Sequence, residues 1–89
     1  MKKIDKSKLL NLVVTSGKLN CEDLAIYSLL LTYMDDESGQ TEMEIKFGVS
    51  CFNDCDTSLF LETVYLLQEQ DLISVIEKND THIKVDFKG

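Results

Sequence analysis

The fifteen residues NCEDLAIYSLLLTYM, at 20–34, leave almost no polar face when wound as a helix. Asn20 is a good N-cap, and Glu22 and Asp23 fall in the first turn, where the helix dipole favours acids. Ile26, Tyr27, Leu29, Leu30, Leu31, Tyr33 and Met34 cover most of the circumference, and only Ser28 and Thr32 leave a polar strip. A helix that is apolar nearly all round must be enclosed by other elements. The chain has 89 residues, and at that size roughly 60 to 65 per cent of the unfolded surface is buried, enough for one modest core. One domain over residues 1–89, wrapped around a central helix at 24–34, is therefore expected.

The elements available to wrap it follow from periodicity and punctuation. Residues 4–16 carry Leu9, Leu10, Val13 and Val14 behind a possible cap at Asp5; LVVT would also suit a strand, and helix is the preferred reading. Ser16-Gly17 breaks this element. Residues 35–40 (DDESGQ) form a loop in which Gly39 takes a positive φ. Thr41-Glu42-Met43-Glu44 reads as a capping box opening a short helix to Phe47, with Gly48 as its stop. Asp54, Asp56 or Thr57 caps a longer helix to about residue 70, with Phe60, Val64 and Leu67 as its core stripe. Residues 74–78 and 81–87 alternate as a hairpin about Asn79-Asp80, which sets Ile76 opposite Ile83 and Glu77 opposite His82.

The order of these stretches, CEDLAIYSLLLTY, TEMEIKFGVS, LFLETVYLLQEQDLI and SVIEKNDTHIKVDF, resembles the winged-helix family over residues 20–88. The ending LQEQDLI is similar to the close of many recognition helices in that family, with Asp71 where Gly is usual. The N-terminal half is also similar to the start of plasmid and phage replication-initiator winged helices. The resemblance implies an α+β fold: a three-helix core with a C-terminal β-hairpin wing, here with an extra N-terminal element. Two departures stand out. Cys51-Phe52-Asn53-Asp54-Cys55 lengthens the interval before the third helix of that core, and the basic residues of DNA-binding members are missing.

Charge makes the second departure decisive. The chain carries −7, unevenly spread. Residues 1–20 hold five Lys against Asp5, giving +4, while residues 35–80 hold twelve acids against Lys46 and Lys78, giving −10. Affinity for duplex DNA comes largely from neutralising phosphates, so this distribution opposes ordinary DNA binding. On the 57–70 helix, the side opposite the core stripe carries Ser58, Leu61, Glu62, Tyr65, Gln68 and Glu69. None of these gives the donor pattern that reads guanine, and Gln68 between Glu62 and Glu69 is a poor reader of adenine. Leu61 and Tyr65 ringed by acids suit a protein interface if they are exposed; if they pack beneath a neighbouring element they are core. Asp35, Asp36 and Glu37, with Glu42, Glu44, Asp54 and Asp56, are either solvated surface or a negative patch for a basic partner.

Chemistry is sparse. Cys51 and Cys55, with Cys21 or His82, make a poor zinc set, because structural zinc favours closely paired ligands. Thiols filling gaps beside Phe52 and Phe60 is the plainer reading. The single His82 suits a surface pairing with Glu77, and no nucleophile stands beside a base at a recognisable spacing. No cofactor, metal or catalytic residue is expected. Lys2 and Lys3 open the chain, but Asn11 interrupts the apolar run at 9–14 and no small-residue cleavage site follows. No apolar run nears the roughly 18 residues of a membrane span. A cytoplasmic protein with reduced thiols is expected.

The functional expectation is thus a non-catalytic regulator or adaptor, of the size of a phage or mobile-element accessory protein. It would bind a protein partner through Ser58, Leu61, Glu62, Tyr65 and Glu69 with Asp35, Asp36 and Glu37. A second reading is a DNA-binding transcription or replication regulator. It would act as a dimer whose Lys2, Lys3, Lys6, Lys8, Lys78 and Lys84 form a composite basic surface. A third is an assembly domain that dimerises through the N-terminal apolar segment, so both monomer and homodimer remain open.

Overall fold

The first described element of the chain is a helix. In the computed structural model, which describes residues 5–88, α1 (Lys6–Ser16) begins where the Asp5 side chain accepts a hydrogen bond from the Lys8 N–H and ends at Gly17, φ 67°. Leu9 and Val13 are buried, while Leu12 and Val14 face outward. α2 (Cys21–Thr32) follows, with the Asn20 side chain accepting from the Asp23 N–H. Its Tyr27 and Leu30 are 1% and 0% exposed, so the all-round apolar helix is central, as its composition requires. Tyr27 meets Phe87 edge to face, ring centroids 5.4 Å apart.

The segment after the 35–39 loop departs from the sequence-based expectation. Thr41-Glu42-Met43-Glu44 is no capping box. It belongs to β1 (Gln40–Glu44), and the helix starts only at α3 (Ile45–Ser50). Thr41 and Met43 are buried and Glu42 and Glu44 exposed, the period-two pattern of a strand with one face on the core. The Thr41 hydroxyl donates to the Leu30 carbonyl at 2.7 Å rather than capping a helix. Gly48 lies inside α3 instead of just past its end; a Cβ there would come within 2.6 Å of the Phe60 ring. The glycine is a packing requirement, not a stop signal.

α4 (Thr57–Glu69) is capped by Asp56, whose carboxylate accepts from the Leu59 N–H at 2.8 Å. Phe60, Val64 and Leu67 are all 0% exposed. β2 (Ile73–Lys78) and β3 (His82–Phe87) complete one antiparallel sheet of order β1-β3-β2. The domain is therefore α+β, with four helices among the described residues and a three-stranded sheet in place of a bare hairpin.

The hairpin register also differs. Lys78 lies opposite Ile83 and Glu77 opposite Lys84, and a bulge between Val75 and Glu77 leaves Ile76 without a partner and 44% exposed. The cause is the turn. The Asn79 side-chain oxygen accepts from the Thr81 N–H, the Thr81 hydroxyl and the His82 N–H, which holds a wider loop than a two-residue turn. His82 consequently faces Glu44 across the sheet, not Glu77, and its ring nitrogen meets the Thr81 hydroxyl at 2.8 Å. No helix among the described residues is long and apolar enough to cross a membrane.

Candidate functional site

α4 lies against α2, α3 and β2, so one side of it is fixed by packing and the other meets solvent. On the solvent side Ser58, Glu62, Tyr65 and Glu69 are exposed, Tyr65 by 41%. Leu61 is half-buried and packs on the core cluster, so it is part anchor and only part surface. Gln68 is engaged: its side-chain oxygen accepts the Val75 N–H at 2.8 Å, tying α4 to the first strand of the hairpin. The face that remains free holds one aromatic ring and two carboxylates, with no cation.

The 35–39 loop is shaped by its own acids. The Asp35 carboxylate accepts the Glu37 N–H at 2.9 Å, and the Asp35 carbonyl accepts the Gly39 N–H at 2.8 Å. Asp36 lies 3.7 Å from Lys6 Nζ. Backbone hydrogen bonds place this loop at the end of the sheet where α4 finishes: Phe87 N–H donates to the Gly39 carbonyl and Lys88 N–H to the Leu72 carbonyl. Glu69 and the 35–37 acids therefore belong to one end of the domain. Ser58 lies at the other end of α4, about 16 Å away at 1.5 Å per residue. The expected partner-binding set is a strip ending in an acidic corner, not a single cluster.

The basic residues of the DNA-binding reading are dispersed. Lys2 and Lys3 lie outside the described residues. Lys6 donates to the Thr32 carbonyl at 3.1 Å and neighbours Asp36, at the Phe87 end of the sheet. Lys78 is exposed toward the opposite end, opposite Ile83 and about 13 Å from Phe87 along β3 at the usual rise of a strand. Lys84 is half-buried and lies in register between Glu42 on one side and Glu77 on the other. Lys8 is exposed on α1. Among the described residues, Lys6, Lys8, Lys78 and Lys84 form no continuous basic surface within one chain.

A second feature flanks the N-terminal end of α4. The 51–55 interval, with Asp54 at φ 58°, folds over the first turns of α2 and α4 and leaves a cavity of about 330 Å³. Ile26 and Thr63 form its buried base, Phe52 and Leu59 its apolar wall, and Glu22 and Asp54 stand among its exposed residues. The cysteines are not the buried fillers expected: Cys21 and Cys51 are exposed and Cys55 is half-buried. Burial raises the pKa of the Cys55 thiol, and the carboxylates of Asp56 and Glu22 raise it further. Among the described residues, no three His, Cys, Asp or Glu side chains are grouped to hold a metal ion. The cavity residues escaped the sequence reading; the one signal for them was the lengthened interval itself.

Comparison with protein-family models, with curated proteins and with solved structures finds no match to this chain.

Proposed function

We propose that this chain is a non-catalytic winged-helix domain whose recognition helix is turned toward protein. The winged-helix reading is supported by the order α2, β1, α3, α4, β2, β3, in which a hairpin folds back on a helix pair and α4 takes the recognition position. The observation that carries the function is the free face of α4: Ser58, Glu62, Tyr65 and Glu69, with Gln68 already spent on Val75. Phosphate contacts dominate nucleic-acid affinity, and this face would repel them. An exposed tyrosine rimmed by carboxylates suits an interface whose anchor is aromatic and whose partner is basic. The acidic corner at 35–37 extends the same field, which fits a regulator or adaptor acting on a positively charged protein surface.

The first test is fluorescence anisotropy with mixed-sequence duplex DNA at about 50 mM salt, where phosphate contacts are most visible. No binding is expected; micromolar binding lost on replacing Lys6, Lys8, Lys78 and Lys84 overturns the proposal. The second test takes a partner captured from lysate and compares the wild-type chain with Glu62→Lys/Glu69→Lys. Affinity falls and on-rate falls with it if the face is the interface, because rim charges act mainly on encounter. Unchanged affinity for every partner removes α4 from the role.

A further inference from the structure

The cavity beside the 51–55 interval faces a different part of α4 from the proposed interface, and its chemistry is different. Its wall is apolar, from Ile26, Phe52 and Leu59, and its exposed residues include Glu22 and Asp54. None of its lining residues is Lys or Arg. Both ion pairs among the described residues lie elsewhere, at Lys6–Asp36 and Lys88–Asp71, so neither Glu22 nor Asp54 has a cationic partner among the described residues. An enclosed cavity of about 150 Å³ accepts one benzene-sized group, so about 330 Å³ accepts roughly two.

We infer that this cavity is a docking site for a basic amphipathic helix of another protein, which inserts apolar side chains between Phe52 and Leu59 and sets flanking Lys or Arg against Glu22 and Asp54. Charge complementarity selects that occupant. An acidic helix would bring like charges to both carboxylates, and a neutral one would leave them unpaired beside apolar surface. The open mouth, where Cys21, Ala25 and Leu59 are all exposed, favours a segment that covers the rim over a small ligand enclosed by the protein. Anchors on successive turns of a helix match this geometry. This inference stands whether or not the outer face of α4 is an interface.

The test is an amide NMR titration of the ¹⁵N-labelled full chain with a short helical Leu/Lys peptide, with its Leu/Glu counterpart and with hexylammonium. The Leu/Lys peptide is expected to shift Cys21, Ala25, Phe52, Asn53 and Leu59, and the other two probes to leave them unmoved. Glu22→Gln/Asp54→Asn keeps the backbone compatible, since Asn tolerates the left-handed conformation of Asp54, and is expected to weaken the peptide about fivefold. Ala25→Leu, at an exposed helical position, fills the mouth and abolishes binding. Four results overturn the inference: no binding of the Leu/Lys peptide, equal binding of the Leu/Glu peptide, hexylammonium binding as tightly as the peptide, or shifts confined to Glu62, Tyr65 and Glu69. The last would instead place the basic partner on the outer face of α4.

Discussion

Phe60 and Tyr65 stand on opposite sides of α4, one fully enclosed and the other 41% exposed. Phe60 is held by the rest of the domain: its ring occupies the space that only a glycine at 48 leaves open. Tyr65 is an exposed aromatic ring beside Glu62 and Glu69. What this teaches is where selection for folding ends on this helix. The inner side is dictated by packing, so its residues say little about activity. On the outer side Ser58, Glu62, Tyr65 and Glu69 meet solvent, so their acidic and aromatic character is the informative part. Truncation should separate the two sides sharply. Phe60→Ala is expected to cost about 3–5 kcal/mol in urea unfolding, and Tyr65→Ala to stay within about 0.5 kcal/mol. A comparable loss at Tyr65 would break the contrast and return that ring to the structure.

The next largest effect probes the inner side from its other partner. Gly48→Ala would improve the helix propensity of α3 yet drive a Cβ to within 2.6 Å of the Phe60 ring. Overpacking of this kind costs about 1–3 kcal/mol. Because the clash is with the far end of one side chain, Phe60→Leu in the same molecule should recover part of that cost. The pair would then show a coupling in a double-mutant cycle that Gly48→Ala with Tyr65→Ala lacks. Simple additivity of Gly48→Ala and Phe60→Leu would mean that α3 moves as a unit and that the glycine serves the backbone.

The same contrast explains which parts of the molecule were legible in the sequence. The stripe Phe60, Val64 and Leu67, the cap Asn20 and the exposure of Glu62 and Glu69 rest on local spacing, which a helix converts directly into faces, whereas spacing leaves Asp56 one of three candidate caps and Tyr65 open between surface and core. β1 was not legible, because Thr41-Glu42-Met43-Glu44 satisfies a capping box and a strand alternation equally well. The choice is made at a distance, by pairing with β3 and by the bond from the Thr41 hydroxyl to the Leu30 carbonyl. The hairpin register failed for a related reason: one Asn79 side chain accepting three hydrogen bonds outweighs the preference for a two-residue turn. On the candidate site, spacing leaves Leu61 open between surface and core and says nothing of a bond for Gln68, because what engages them, the core and the Val75 N–H, is tertiary. The cavity depends on three separate segments meeting, and no spacing in the chain records that.

The smallest effect lies where the two faces of α4 come to an end. α4 closes with the Leu72 N–H bonded to the Leu67 carbonyl and the Asp71 N–H to the Gln68 carbonyl, a closure that needs a left-handed residue. α1 meets the same need with Gly17 at φ 67°, whereas α4 uses Asp71 at φ 62°. A residue with a Cβ is strained there, although Asp tolerates it better than most. The Asp71 carboxylate accepts from Lys88 Nζ at 2.9 Å, but the pair is exposed, and such pairs contribute only about 0–1 kcal/mol. Asp71→Gly removes the strain and the ion pair together and gives the unfolded chain more freedom, so a net gain of about 0.5 kcal/mol is expected. Raising the salt concentration distinguishes the two contributions. The ion pair is screened and the backbone strain is not, so the gain should grow with salt. A loss of stability that disappears at high salt would show that the Lys88 contact, rather than the backbone, is what Asp71 provides. In either case the end of the helix would be altered without touching Tyr65, and the outer face could be tested for binding on a chain of slightly different stability.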